Sequence, residues 1–237
     1  MSTDLGHMRS KSSLLLGSCI LAGLYSVSTL HGSATHHALY LHVHGLLGRA
    51  HLASAASLDT IQAMLIFSMW DLRPTRDHDH GNSWLLSGMA AMQVVMTTRF
   101  DQLRYASGAS EAIRSRELMR TWNLICLCQL QYVSCSNWTL GVSPIRPNSC
   151  LRFSVGSGRP PVIAKQYFDE CAKILEFQSY NSRDELVLAG VELYRTLWDL
   201  ISSNVVQKES AAWPEIERLR KTHDHIYSTH NHQTKNN

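Results

Sequence analysis

The chain of 237 residues is short of charge. Asp, Glu, Lys and Arg together make up 17%, against about 25% in an ordinary soluble domain. With 44% hydrophobic residues, that balance excludes wholesale disorder, which needs low hydropathy and high net charge. The net charge of +3 is too small for a protein that coats nucleic acid by neutralising phosphates. Six prolines and 13 glycines are few for a β-sandwich or a collagen-like chain. No pair among Cys19, Cys126, Cys128, Cys135, Cys150 and Cys171 has CxxC spacing, which excludes a zinc knuckle. Nucleophile elbows, phosphate loops and dinucleotide fingerprints are all missing, so the chemistries they anchor have no foothold.

What is present is apolar and helical in period. The length allows one or two domains with a substantial core. Between Lys11 and Arg49 there is no Asp, Glu, Lys or Arg. Leu14-Leu15-Leu16 onward reads as a buried helix at the centre of an all-α core. The same run, with Arg9 and Lys11 before it and Ser26-Val27-Ser28 after it, also fits a signal peptide. A membrane span fits less well, because Ser, Gly and Thr interrupt a stretch that should be apolar for about 20 residues. Cys19, Cys126, Cys128 and Cys171 sit in apolar patterns and read as small reduced hydrophobes.

Helices are expected over 13–30, 35–53, 58–71, 83–100, 111–133, 162–178, 182–202 and 209–227. In the second, Leu39, Val43, Leu46, Leu47 and Ala50 share a face. In the third, Leu58, Ile61, Gln62, Leu65, Ile66 and Met69 follow the 3-and-4 spacing. Ser57 is its N-cap, and Arg73 before Pro74 ends it. In the fourth, Trp84, Leu85, Gly88, Met89, Met92 and Met96 form the expected inward side. Leu118, Trp122, Ile125 and Cys126 are in register on the fifth. Ser182-Arg183-Asp184-Glu185 reads as a capping box. The segment 134–161 is rich in Ser, Gly, Pro and Asn, carries Arg146, Arg152 and Arg159 without an acid, and reads as an exposed loop long enough to be functional or disordered. No strand pattern competes.

Histidine is plentiful, at 13, but poorly arranged for metal. His36, His37, His42, His44 and His51 offer no i, i+4 pair with a carboxylate, and read as partly exposed side chains. Asp77-His78-Asp79-His80, His223-Asp224-His225 and His230-Asn231-His232 read as solvated segments. Arg114, Arg116 and Arg120, interleaved with Glu111 and Glu117, read as a surface of i, i+3 and i, i+4 ion pairs. Asp169-Glu170 and Asp184-Glu185 fall on polar faces or caps. No acid, base and nucleophile converge, so the chain reads as a non-enzyme.

Several short elements occur in a recognisable order. They are Ser12-Ser13-Leu14-Leu15-Leu16, then Ser57-Leu58-Asp59-Thr60-Ile61-Gln62-Ala63-Met64-Leu65-Ile66, then Trp84-Leu85-Leu86-Ser87-Gly88-Met89-Ala90. Glu117-Leu118-Met119-Arg120-Thr121-Trp122, Gly158-Arg159-Pro160 and Trp213 with Glu217 follow. In this order the chain resembles the regulatory middle homology region of fungal binuclear zinc-cluster transcription factors, nearest to the protease- and acid-responsive or leucine-pathway regulators. Two positions depart from the family pattern: Asn123 stands where a second aromatic is usual, and Gln129-Leu130 where Asp-Arg is common.

The resemblance implies an all-α, multi-helix regulatory domain over 12–229, with tails at 1–11 and 230–237. It implies a nuclear regulator of RNA polymerase II transcription whose partners are transcription machinery or co-regulators, with a small-molecule effector and a homodimer as further expectations. Met64, Trp84, Met89, Met92 and Trp122 would line an effector pocket. Gln62, Trp84, Gly88, Glu117, Arg120, Trp122, Gly158, Arg159 and Pro160 would be its structural motif residues. The family reads DNA through six clustered thiolates around two zinc ions; the scattered cysteines here cannot close that cluster. No zinc cofactor is therefore expected in this chain, and no sustained heptad coiled coil is present. DNA would be reached only indirectly or through a separate N-terminal module, the chain being a truncated product or a member that lost its DNA reader. The alternative is a secreted or membrane-attached helical protein using the uncharged N-terminal run.

Overall fold

The computed structural model describes residues 12–27, 30–51, 55–70, 72–74, 81–103, 108–135 and 161–202, with 218 and 221. The expected loop at 134–161 and the expected helix at 209–227 lie almost wholly outside them. The described residues are helical, with no strand among them. The chain forms two compact units, 1–98 and 99–237.

The first unit contains α1 (Ser13–Ser26), α2 (Ala34–His51), α3 (Leu58–Met69) and α4 (Gly81–Thr97). Ser12 caps α1, its hydroxyl accepting from the Leu15 N–H at 3.2 Å, and Ser57 caps α3 through the Thr60 N–H at 3.2 Å. These satisfy donors that every helix start leaves open. The central helix is α3, not α1. Ile61, Ala63, Met64, Leu65, Phe67 and Ser68 of α3 are buried, and α1, α2 and α4 all pack on it. On α1 only a narrow stripe, Leu14, Gly17, Ser18 and Leu21, is buried, while Cys19, Ile20 and Tyr25 are exposed. Gly17 explains the stripe: a Cβ there would lie 2.6 Å from Val43 Cγ2 on α2, so the two helices touch where one has no side chain.

The fourth helix is rotated relative to its expected face, of which only Gly88 is buried. Its buried residues are Ser87, Gly88, Ala90, Ala91 and Val94, whereas Leu85, Met92 and Met96 are exposed. Small side chains let α4 approach α3 closely, and dispersion over a close contact outweighs the size of the side chains left outside. Gln93 adds a tie, its Oε1 accepting the Ala56 N–H at 3.1 Å in the joint before α3.

The second unit contains α5 (Ala109–Cys135), a 3-10 helix η1 (Lys165–Glu176) and α6 (Ser182–Ser202). Arg120 meets Asp184 and Leu127 meets Gly190, so α5 and α6 run parallel. Lys165 pairs with Asp199 and Asp169 with Arg195, so η1 runs antiparallel to both. An α-helix was expected over 162–178. The 3-10 winding follows from the buried residues Phe168, Cys171 and Ile174, which recur every third position. In a 3-10 helix, residues i and i+3 eclipse, so these three form one straight apolar row.

Candidate functional site

Of the motif residues, Gln62, Trp84 and Gly88 belong to the first unit and Glu117, Arg120 and Trp122 to the second. Gly158, Arg159 and Pro160 lie outside the described residues. Gln62 and Trp84 are half-buried and Gly88 is buried. The proposed pocket lining is likewise divided: Met64 and Trp122 are core residues, while Met92 is exposed on α4.

The densest polar constellation joins α5 to the start of α6. Arg120 donates from Nε to Asp184 Oδ1 and from Nη2 to Asp184 Oδ2, both at 2.7 Å. Such a fork-to-fork pair fixes orientation as well as distance. It replaces the surface pairing with Glu117 read from the sequence: Glu117 stays exposed, and Arg120 turns toward a partner 64 positions away. The carboxylate of Asp184, 6% exposed, does more. Its Oδ2 accepts the Asn181 N–H at 2.9 Å, and Asn181 Oδ1 accepts the N–H groups of Arg183 and Asp184. That is a capping box with Asn181 as the cap, one residue upstream of the Ser182 reading. Arg116 extends the set by donating from Nη1 to Ser179 Oγ.

Electrostatics favour the ionised pair. Burial works to raise the Asp184 pKa, but the Arg120 hydrogen bonds, the Asn181 N–H and the charges of Arg120 and Arg116 outweigh it and hold the carboxyl below its ordinary value. The Arg120 guanidinium is held above its own, first by the hydrogen bonds to Asp184.

One turn along α5 the buried face becomes aromatic and amide-bearing. Trp122 is fully buried, with Phe100 at 5.1 Å and Tyr167 at 6.4 Å between ring centroids; its Nε1 has no acceptor among the described residues. Asn123 donates from Nδ2 to the Cys171 carbonyl at 3.1 Å, and Gln129 Oε1 accepts the Val162 N–H at 3.0 Å. The two departures from the family pattern are thus the side chains that hold the segment 162–171 against α5. Burial pushes the Cys126 thiol well up, with Cys171 and Cys128 beside it adding to the shift. Pushed up in this way, the Cys126 thiol stays protonated and unreactive.

The first unit holds a second polar tie that the sequence reading missed. His36 is fully buried, although the α2 histidines were expected to be partly exposed. Its Nδ1 accepts the Gly32 N–H at 3.1 Å and its Nε2 lies 3.0 Å from the Leu72 carbonyl. A carbonyl only accepts, so Nε2 donates to it while Nδ1 accepts. Gly32 has φ +75°, a conformation glycine adopts without strain. Tyr25 and His31 continue the contact edge-to-face, at 5.3 and 5.2 Å.

Among the described residues no group of three His, Cys, Asp or Glu could hold a metal ion. Among the same residues no helix is long and apolar enough to cross a membrane, α1 having 14 residues. The fold and its ties define an all-α helical module. Residues 1–142 match the middle domain of the transcriptional activator of proteases prtT, and the chain belongs to that family. It is 29% identical to the transcriptional activator of proteases prtT of Aspergillus niger over 93% of this chain and 32% of that protein. It is 24% identical to the one of Penicillium rubens over 96% of this chain and 32% of that protein. An uncharacterized transcriptional regulatory protein of Schizosaccharomyces pombe is 23% identical over 92% of this chain and 37% of its own length. The chain therefore spans about a third of the curated relatives it matches. No solved structure matches it.

Proposed function

We propose that the chain is the helical regulatory domain of a nuclear transcription regulator that modulates RNA polymerase II output. The observation that carries this is the family match over residues 1–142, with relatives that align along nearly the whole chain and are named as transcriptional activators. The domain acts through protein partners, the transcription machinery or co-regulators, and DNA is reached through a separate module. An effector would act by binding one helix arrangement better than another; a ligand without that difference shifts nothing. The motif residues Gln62, Trp84, Gly88, Glu117, Arg120 and Trp122 are read as frame, keeping the helices in one arrangement.

The test is a tethering assay. The full chain fused to a heterologous DNA-binding domain should raise or lower a reporter bearing the matching sites, and the effect should require nuclear entry. A fusion that is expressed, nuclear and folded yet leaves the reporter unchanged, with and without protein in the growth medium, would overturn the reading.

A further inference from the structure

The 3-10 helix η1 has 12 residues, where runs beyond about three or four are uncommon. Backbone bonds spanning three positions close its two ends: Tyr167 N–H to the Ala164 carbonyl at 3.0 Å, and Phe177 N–H to the Ile174 carbonyl at 3.3 Å. No side chain caps its start. At three residues per turn, Phe168, Cys171 and Ile174 make the buried row. Leu175, however, falls in line with Gln166, Asp169 and Ala172. It is 43% exposed, and Ala172 is exposed too.

The same residues sort more cleanly at about 3.6 per turn. Phe168, Cys171, Ala172 and Leu175 stand at i, i+3, i+4 and i+7, the apolar stripe of an amphipathic α-helix. Tyr167 and Ile174 border that stripe. Lys165, Gln166, Asp169, Glu170, Lys173 and Glu176 all fall on the other side. One segment thus carries two readable periods: the 3-10 form keeps Ile174 inside, and the α form would bring in Leu175. We propose that residues 165–176 are a two-state element that rewinds between the 3-10 and the α form. The rise per residue differs by about 0.5 Å between the two windings, so the α form is shorter by about 6 Å over the element. The chain entering η1 is tied to α5 through Val162 and Gln129, so the shortening is delivered to the far end. There the turn 177–181 carries Ser179, which accepts from Arg116, and Asn181, the cap of α6. Rewinding therefore reaches the junction that Arg120 and Asp184 hold. The two-state claim stands on the fold; its use as a relay rests on the function proposed above.

The experiment is double electron–electron resonance on the full chain, with nitroxide-bearing residues encoded at positions Gln166 and Glu176, both exposed, and circular dichroism as the fold control. These positions are separated by about 20 Å along the 3-10 form and about 15 Å along the α form. The longer separation should dominate in the wild type. Ala172→Leu adds an apolar side chain to the α stripe at a site exposed in the 3-10 form, and should raise the ratio of short to long separations at least about fivefold. Ile174→Ala weakens the 3-10 row and should move the ratio the same way; Leu175→Gln should move it the other way. Folded Ala172→Leu or Ile174→Ala chains that keep the wild-type distances, or a Leu175→Gln chain richer in the short form, would overturn the two-state element. In the tethering assay Ala172→Leu should change reporter output, and a shifted distance with an unchanged reporter would overturn the relay alone.

Discussion

Replacing Arg120 by methionine keeps the aliphatic stem and removes the guanidinium. Asp184, 6% exposed, then keeps only the Asn181 N–H as a side-chain partner. Breaking a fully buried pair from one side costs about 3–5 kcal/mol. Arg120 is itself 31% exposed, so water can reach the vacated space, and a loss of about 2–3 kcal/mol is expected. For a chain of this size that is a fall in Tm of about 5–10 °C. The loss belongs to the second unit, and the two units need not unfold together. The sharper assay is therefore hydrogen exchange of the 182–202 amides, which should lose protection while α3 amides keep theirs. In a double-mutant cycle with Asp184→Asn, the coupling should be about 1.5–3 kcal/mol. A loss below about 0.5 kcal/mol, the range of an ordinary surface substitution, would refute the claim that this pair fastens α6 to α5.

The lowered pKa of Asp184 means the folded state binds its proton less readily than the unfolded chain. Its stabilisation is fully present above the ordinary aspartate value of about 4 and is lost as pH falls through the lowered one; Arg120→Met should flatten that acid limb in a urea titration against pH. Gly17→Ala drives a methyl into Val43, 2.6 Å away, and should cost about 1–3 kcal/mol, with Val43→Ala restoring much of it in thermal melts. His36→Leu leaves the Gly32 N–H and the Leu72 carbonyl without their partner and should cost about 2–4 kcal/mol by urea unfolding, whereas Gly32→Ala, at φ +75°, should cost about 1–2 kcal/mol.

The helices themselves were legible because apolar spacing at 3 and 4 positions and Ser or Thr caps are local signals. Ser57 caps α3 as expected, and the ends of α6 fall where they were read. Which face points inward was less legible. On α4 a stripe of large apolar residues and a stripe of small ones lie on opposite sides, and only the partner helix decides between them. The row Phe168, Cys171, Ile174 did announce a threefold period, but a 3-10 helix of 12 residues is far longer than the usual three or four. The ties were the least visible part. Arg120 and Asp184 are 64 positions apart, and His36 reaches Leu72 across 36; composition and periodicity carry no trace of such pairings. The family resemblance marked Arg120 and Trp122 without revealing their partners. Asn181 and Asp184 did stand at the Ncap-to-N3 distance, one residue before the serine that was read as the cap.

The amide of Val162 is fastened to Gln129, so the chain entering η1 is stitched to α5 across 33 positions of sequence. Such a tie closes a long stretch of chain with one hydrogen bond. Doubling the length of such a closed stretch raises its closure cost by only about 0.6 kcal/mol. The cost of holding η1 against α5 therefore depends only weakly on how many residues separate the two tied positions.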